Sequence, residues 1–337
     1  MRIAVDAFGG DNAPAAVVEG CIDALKKYPD MSVTLCGDEK RIKAELEKYR
    51  YDVARVDILH APEIISCDEQ PTFAIRKKKD SSLVKAMELV RDKKADCVVS
   101  AGSTGAVLAG ATFIIKRIEG VKRPAIGVVF PAEKGCVLIM DCGANVDCKP
   151  SYLQQFAVMA SAYMHDIMGV DNPRVGLLNN GAEAEKGCAL TKEAYALLEA
   201  DQRLNFVSNV EAREITHDQA DVIVCDGFVG NVILKFMEGV AGTLMGIIKK
   251  ELLSDTRSKV GALLAKPAFG RVKKTMDYSE VGGAPLLGVR GNVVKAHGSS
   301  NGHALACAIG QAVQMIHGGV VEKIEALLPR EEQQSAQ

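Results

Sequence analysis

Four short apolar runs that each end beside a polar residue and a glycine constrain the fold of this chain more than any other feature. The runs cover residues 2–5, 137–140, 175–178 and 222–225, and the polar residues that follow them are Asp6, Asp141, Asn179 and Asp226. A short β-rich run with a helical pattern after it is typical of a buried parallel strand that feeds a helix. Because ligands bind beyond the carboxyl ends of such strands, we expect one convergent site and favour an enzyme.

The rest of the chain continues this alternation of strands and helices. Further strands are predicted near residues 32–36, 56–60, 96–100 and 293–296, with an antiparallel hairpin at 125–140. Helices are predicted near residues 12–27, 39–49, 82–94, 105–116, 151–168, 185–200, 230–253 and 301–317. The pattern predicts a three-layer α/β/α fold with a mainly parallel sheet. We expect one large catalytic body over residues 1–329, undivided or with two lobes around a cleft, and a flexible tail at 330–337.

Composition and charge exclude several classes of protein. Hydrophobic residues make up 48% and charged residues 25% of the 337 residues, which is ordinary for a globular protein. The net charge of -2 argues against a nucleic-acid partner. The ten cysteines include no C-x-x-C pair and favour a reducing compartment. The chain shows no signal peptide and no uninterrupted apolar stretch of membrane-spanning length, so we expect a cytoplasmic protein that can still attach to a membrane surface.

Two strand-to-helix turns offer donors for a phosphate group. The first contains Ser103, Thr104 and Gly105, and the second runs from His297 through Ser299 and Ser300 to Asn301. Glycine allows close backbone approach, and a helix N-terminus presents unpaired N–H groups to an anion. A glycine turn with a capping serine, and a histidine with a structural hydrogen bond, remain the alternatives. The first turn matches neither the dinucleotide-binding nor the P-loop pattern, so no cofactor is expected.

Other polar residues at strand ends and in nearby loops are candidates for substrate contact. Arg76 has the planar fork that suits phosphate oxygens. Lys186 is predicted to begin the helix at 185–200, where a lysine is unfavourable, so a functional role is one explanation. An exposed lysine that pairs with a neighbouring glutamate is the other. The remaining candidates for catalysis or substrate binding are Asn180, Asn231, Asp6, Asp11, Asp141, Asn145, Asp226 and Asn301.

Residues 230–276 are predicted to form a helical hairpin with an interfacial role. The apolar spacing from residue 233 to 248 predicts a long helix that serves as core or as a dimer seam, and we favour the seam. The next segment is basic and amphipathic, and Pro267 is expected to break its helix. Such a segment can bind a membrane surface, dock an acidic protein or pack against a second subunit. Its candidate contact residues are Arg257, Lys259, Leu263, Leu264, Lys266, Arg271, Lys273 and Lys274.

The motifs taken together resemble those of the bacterial phosphate acyltransferases of phospholipid synthesis. The opening signature is residues 5–14, where Phe8 stands in place of the usual methionine. Further matching segments are residues 100–106, 123–125, 141–145, 179–187, 226–231, 277–278, 282–288 and 297–301. The resemblance covers residues 1 to about 317, nearly the whole chain.

The resemblance implies a fold similar to that of isocitrate and isopropylmalate dehydrogenases and of phosphotransacetylases. It implies a homodimer, peripherally associated with the membrane, that converts acyl-[acyl carrier protein] and inorganic phosphate into acyl phosphate. The product would supply a downstream membrane acyltransferase. No metal is required by this chemistry.

A mechanism follows as a hypothesis from that chemistry. The Ser103 and His297 turns would hold phosphate, which attacks the thioester directly. Lys186 would clamp phosphate or stabilise the oxyanion, Asn180 or Asn231 would orient the thioester, and His297 could assist proton transfer. A metal- and NAD-dependent dehydrogenase, a short-chain phosphotransacetylase that uses coenzyme A, and a non-catalytic membrane scaffold are the rival functions.

Overall fold

The structure is a computed structural model that describes residues 1–276 and 282–328, without the side chains of residues 273–276. Its eleven strands form one sheet. In chain order they are β1 (Arg2–Asp6), β2 (Ser32–Gly37), β3 (Val56–His60), β4 (Cys97–Ser100), β5 (Ala125–Pro131), β6 (Cys136–Met140), β7 (Arg174–Asn179), β8 (Asn205–Glu211), β9 (Val222–Val224), β10 (Ala284–Leu287) and β11 (Asn292–Lys295).

The α-helices alternate with these strands as far as β4 and fill both faces of the sheet. They are α1 (Ala15–Lys27), α2 (Glu39–Leu46), α3 (Pro71–Lys77), α4 (Ser82–Arg91), α5 (Thr104–Gly110), α6 (Pro150–Asp166), α7 (Ala189–Ala200), α8 (Gly227–Leu252), α9 (Thr256–Met276), α10 (Gly302–Gly318) and α11 (Val320–Leu327). A π-helical turn, Ala111–Ile115, continues α5. The 3₁₀ turns are Val53–Arg55 and Ala212–Glu214.

The strand order places the carboxyl ends of most strands at one edge. It reads β3-β2-β1-β4-β11-β10-β5-β6-β9-β7-β8. Neighbours pair in parallel except at β11–β10, β10–β5 and β5–β6. Strands β1, β4 and β9 are almost wholly buried, as expected for parallel strands covered on both faces. The predicted three-layer α/β fold with a mainly parallel sheet is confirmed, as is the hairpin of β5 and β6.

Two apolar layers, one on each face of the sheet, form the core. One lies under α1, α2, α6, α7, α10 and α11 and contains Phe156 and Tyr163, both fully enclosed. The other lies under α3, α4, α5 and the first turns of α8. Helix α8 therefore begins inside the fold, at the end of β9, and its later turns leave the body with exposed apolar side chains such as Phe236 and Leu244.

Several local predictions differ from the structure. Helix α7 begins at Ala189, so Lys186 lies in the preceding loop and no helix dipole opposes it. Helix α9 continues through Pro267 instead of breaking there. Helix α3 and strands β8 and β10 were not predicted, because their segments are short and lack clear apolar periodicity. The tail from residue 329, and Asp277 with Tyr278, lie outside the described residues.

One helix reaches membrane-spanning length, although Lys235 and Glu238 interrupt its apolar residues, so the expectation of no uninterrupted apolar stretch of that length stands. Helix α8 is long and apolar enough to cross a bilayer, and none of its most apolar stretch is buried. Helices α10 and α11, bent by 52° at their junction, meet the same criterion only as a pair. These are properties of length and composition alone, and α8 carries the charged pair Lys235 and Glu238 near its start.

Candidate active site

Two crevices open at the carboxyl edge of the sheet, one on each side of the first turns of α8. The His297 cleft has a volume of about 310 Å³. Its polar lining is Thr104, Asn231, Lys235, Glu238, Lys295, His297 and Ser300, and its apolar wall includes Ile126, Val128, Val129, Leu234, Ala284 and Ala304. The Asn180 crevice, of about 660 Å³, is lined by Asn179, Asn180, Thr191, Glu211, Arg213 and Asp226 above an apolar floor. The expected single site is therefore divided by α8.

A buried carboxylate organises the loop that carries Ser103 and Thr104. The Ser100 hydroxyl donates to Asp6 Oδ2 at 2.7 Å and accepts the Gly102 N–H at 3.0 Å. Burial raises the pKa of Asp6, while hydrogen bonds from serine hydroxyls oppose the rise. Asp6 thus supports the loop from behind, and the His297 cleft is not lined by it.

Helix α5 starts at the end of this loop, with Thr104 in the wall of the His297 cleft. Ser103 is its N-cap residue, but its side chain makes no capping hydrogen bond. Gly105 is required by packing, since a Cβ there would lie 2.6 Å from Pro71 Cγ in α3. The Ser103 hydroxyl is therefore not engaged in capping its own helix, so the alternative of a capping serine is wrong for this turn.

The opening signature of the chain holds the His297 turn in place. The Asp11 N–H donates to the Gly298 carbonyl at 2.8 Å. Asn12 Nδ2 donates to the carbonyls of Ser299 and Ser300 at 3.1 and 3.2 Å. Gly10 has φ +92°, and a Cβ there would lie 2.8 Å from the Gly298 carbonyl oxygen. Gly10, Asp11 and Asn12, in the loop after β1, thus hold the His297 turn although the two segments are far apart in sequence.

Within the turn, the imidazole of His297 is oriented by its own loop. Nδ1 lies 3.2 Å from the Ser299 backbone nitrogen and 2.8 Å from the Ser299 hydroxyl, and its role as donor or acceptor depends on the tautomer. In the tautomer that donates from Nδ1 to the Ser299 hydroxyl, Nε2 is the nitrogen that can accept a proton. Desolvation lowers the pKa of His297; the Glu238 carboxylate opposes this shift, and the nearby ammonium groups of Lys235 and Lys295 add to it. A neutral imidazole at neutral pH is able to accept a proton.

Asn301 has a structural role at the end of the same turn. Its side-chain oxygen accepts the Ala304 N–H at 2.9 Å and caps α10. Ser300 is buried in the wall of the His297 cleft, whereas Ser299 is exposed and contacts the imidazole. Of the four residues predicted here, His297 and Ser300 line the cleft, and Ser299 and Asn301 shape the turn.

Asp141 and Asn145 form an internal hydrogen-bond network and lie outside the lining of both crevices. Asp141 Oδ1 accepts the N–H groups of Ile126 and Ala144. Its Oδ2 accepts both the backbone and the side-chain N–H of Asn145 at 2.6 and 2.9 Å. Burial raises the pKa of Asp141, and these donors oppose the rise. The two residues predicted to bind substrate instead hold the turn after β6.

The predicted residues around β7 and β9 meet in the Asn180 crevice. Asn180 and Asp226 line it, and Lys186 is exposed in the adjoining loop. The Asp226 carboxylate caps α8 through the Val229 N–H at 2.9 Å. Asn231, five residues later, faces the His297 cleft. The structure therefore separates Asn180 and Lys186 from Asn231 and His297, and their catalytic roles stay predictions.

Arg76 and the basic residues of the hairpin lie away from both crevices. The Arg76 guanidinium lies over the Phe113 ring at 5.2 Å from its centroid. Arg257, Lys259, Lys266 and Arg271 are exposed on α9, and Leu263 and Leu264 are 71% and 79% exposed on the same helix. The side chains of Lys273 and Lys274 lie outside the described residues.

Lys235, Glu238 and Lys295 line the His297 cleft and were missed as site residues. Lys235 pairs with Glu238 at 2.8 Å on α8. Lys295 ends β11, and desolvation lowers its pKa to about 8. A lysine directly after the apolar pair Val293 and Val294 is a signal that could have identified it. Across the described ranges 1–276 and 282–328, no cluster of His, Cys, Asp or Glu side chains is placed to hold a metal ion.

Comparison with known proteins identifies the family. The model of the fatty acid synthesis protein family matches residues 1–323. The phosphate acyltransferase of Clostridium novyi (strain NT) is 50% identical over 326 residues, which cover 97% of this chain and 98% of the relative. That of Clostridium perfringens (strain SM101 / Type A) is 51% identical over 324 residues, 96% of each chain.

A solved structure of similar fold is the phosphotransacetylase of Streptococcus pyogenes, with a TM-score of 0.62, 17% identity and 94% of each chain covered. At these identities the likeness concerns the fold alone, and it agrees with the three-layer architecture. The sequence matches and the arrangement of the cleft lead to one conclusion: the chain belongs to the fatty acid synthesis protein family and is an acyltransferase.

Proposed function

We propose that this chain transfers a fatty acyl group from an acyl carrier protein thioester to inorganic phosphate, by direct attack of phosphate. The observation that carries the proposal is the composition of the His297 cleft. Its lining combines ammonium, imidazole and hydroxyl groups with apolar side chains of β5 and α8. A phosphate group suits the polar residues, and the start of an acyl chain suits the apolar ones.

The proposed reaction needs no cofactor, because phosphate and thioester supply all the atoms of the products. A phosphate oxygen forms a bond to the thioester carbonyl carbon, and the carbon–sulfur bond then breaks. The proton of the phosphate passes to the departing thiolate, so acyl phosphate and a free thiol leave the site. The protein has to position the two reactants, which contributes on the order of 7–11 kcal/mol when the geometry is good.

His297 is the proposed proton carrier. Its lowered pKa leaves the imidazole neutral at neutral pH, so it can take the phosphate proton and return it to the thiolate. Thr104 and Ser300 supply hydroxyl donors, and Asn231 supplies an amide on the opposite wall. An amide donor aimed at the developing oxyanion is worth roughly 3–4 kcal/mol.

The exposed hairpin is the proposed surface for assembly and for the membrane. Phe228, Val232, Phe236 and Leu244 on α8 are each at least half exposed, which supports a seam between two copies. Leu263 and Leu264, among basic residues of α9, support peripheral contact with anionic lipid or with an acidic carrier protein. Replacing both leucines by glutamate should abolish vesicle co-sedimentation, and salt-dependent turnover would indicate carrier docking.

The experiment is an assay of purified protein with long-chain acyl carrier protein, inorganic phosphate and no membrane. Formation of acyl phosphate, followed by ³¹P NMR, together with stoichiometric release of the carrier thiol is the expected result. Equal activity with short-chain acyl-coenzyme A would favour a phosphotransacetylase. No acyl phosphate from either donor would contradict the proposed function and favour a scaffold that recruits acyl carriers.

A further inference from the structure

A half-buried lysine, Lys295, lies in the His297 cleft and has no carboxylate partner in the part of the chain that the structure describes. The ammonium of Lys295 donates to the carbonyl of Ala101 at 3.5 Å and to that of Ala296. An ammonium has three N–H donors, so one remains beyond these two carbonyls. Throughout residues 1–276 and 282–328, no carboxylate lies within ion-pair distance of this group.

A cation withdrawn from water without an ion partner is unfavourable unless an anion binds beside it. Lys235, the other lysine of the cleft, differs in this respect. Its side chain is 54% exposed and already pairs with Glu238. We therefore expect the two lysines to behave differently. Lys235 already has a carboxylate partner in the protein, and Lys295 would gain an anionic partner from a ligand.

The charged groups around Lys295 do not prevent an anionic ligand from binding to it. Those that act on it from neighbouring segments are Asp6, Asp11, Cys67 and Lys235. The Asp6 carboxylate is occupied by the Ser100 hydroxyl and the Phe8 N–H. It attracts the ammonium toward the base of the Ser103 loop without pairing with it. His297, two residues along the chain, carries no negative charge in either protonation state.

We propose that Lys295 is the substrate-binding cation of this site and that it holds the inorganic phosphate beside His297 and Thr104. The inference rests on the proposed function, because it assigns the phosphate of that reaction to one end of the same cleft. The ammonium binds a phosphate oxygen, partly neutralises the dianion and holds it beside the electrophilic carbonyl carbon of the thioester. The proton of the phosphate then faces the imidazole.

The test compares Lys295→Met, Lys295→Arg and wild type, with Lys26→Met as the control. Lys26 is an exposed lysine of α1 that pairs with Asp23. Binding of inorganic phosphate alone is measured by isothermal titration calorimetry, and the KM values for phosphate and thioester are measured separately. For Lys295→Met we expect phosphate binding about 10- to 100-fold weaker and a KM for thioester within about twofold of wild type. Lys26→Met should bind phosphate as wild type does.

Lys295→Arg adds a readout that a purely structural role would not move. Wild type should lose phosphate affinity above a pH of about 8, where Lys295 loses its charge. A guanidinium stays charged throughout this range, so Lys295→Arg should retain binding at alkaline pH. This comparison also tests the inference if Lys295→Met does not fold, which circular dichroism would reveal.

Equal phosphate affinity in wild type and folded Lys295→Met would overturn the inference, whatever the turnover. The same alkaline loss in wild type and Lys295→Arg would also overturn it. If phosphate binding depends on Lys295 while purified wild type makes no acyl phosphate, the proposed function fails and the phosphate site stands. The two claims can therefore fail separately.

Discussion

The two crevices beside α8 differ in how their charged groups are satisfied. In the larger Asn180 crevice, the one cation of the described lining, Arg213, pairs with Glu211 at 2.8 Å and with Glu214 at 3.0 Å. In the smaller His297 cleft, the only partners of the Lys295 ammonium among residues 1–276 and 282–328 are carbonyls, and a lowered pKa keeps the imidazole neutral at neutral pH. An anionic reactant gains more binding free energy from N–H and O–H donors that can still bond to it than from a larger cavity. The comparison teaches that cavity size alone does not identify the reactive site.

The same contrast applies to the polar residues at the strand ends. Asp141 accepts four N–H groups, and Asp226 caps a helix, so their side chains are engaged inside the protein. Thr104 and Ser300 line the cleft. A polar side chain at the carboxyl edge is thus necessary for a site of this kind, but its hydrogen-bond partners decide whether it can meet a ligand.

Of the single substitutions that distinguish the two crevices, His297→Ala should lower kcat the most. Loss of a proton carrier costs typically 10²- to 10⁴-fold, so we expect kcat to fall by about that factor. The thermal midpoint should change little, because the imidazole is exposed and its contacts with Ser299 lie within one turn. Steady-state assays and a melting curve check both statements, with His165→Ala, an exposed histidine of α6, as control. A kcat within threefold of wild type would remove His297 from the mechanism.

The pH dependence of kcat/KM tests the state of the same imidazole. Below the lowered pKa of His297 the ring is protonated and cannot accept a proton, so activity should fall about tenfold per pH unit there. The midpoint of this acidic limb should lie below the ordinary histidine value of about 6.5. The profile is measured with the concentration of the phosphate dianion held constant. A midpoint above that value would show that carboxylates, not desolvation and lysines, dominate around His297.

Lys186→Ala tests the separation of the two crevices. Because Lys186 is exposed in the loop beside the Asn180 crevice, we expect a loss of kcat at least tenfold smaller than that of His297→Ala. Both variants are assayed under saturating phosphate and thioester. Equal losses would mean that the loop before α7 reaches across α8 during turnover and that the two crevices act as one site.

Asp226→Ala should have the smallest effect and should act on stability. Removal of a helix cap costs about 1 kcal/mol of the free energy of unfolding. Asp226→Asn keeps a capping oxygen and should recover most of that loss. Urea denaturation measures both changes. If Asp226→Asn were stable yet inactive, the carboxylate would have a role in the reaction beyond capping.

Much of the fold could be predicted from the sequence because its signals are local. Apolar runs with glycine at their ends identified β1, β6, β7 and β9, and the alternation with helices identified the parallel sheet. Strands β8 and β10 were missed because short edge or antiparallel strands depend on their neighbours for burial. The start of α7 was placed too early, since the glycine-rich loop before it contains helix-forming residues.

The site could be predicted only in part, for a physical reason. Sequence showed which residues lie at strand ends, and Thr104, Asn231, His297 and Ser300 do share one cleft. The partition by α8 depends on how a helix packs across the sheet edge, which no local pattern encodes. The internal hydrogen bonds that engage Asp141 and Asn145 form only on folding, so the sequence could not show them either. The unpaired state of Lys295 emerges only when β1, β4 and β11 lie side by side.

A crystal structure with inorganic phosphate and a non-hydrolysable thioester analogue tests the central claim most directly. The account predicts phosphate in contact with the Lys295 ammonium, beside His297 and Thr104, with the analogue's acyl chain along Val128 and Leu234. Phosphate bound instead among Asn180, Arg213 and Lys186, with the His297 cleft unchanged, would contradict it.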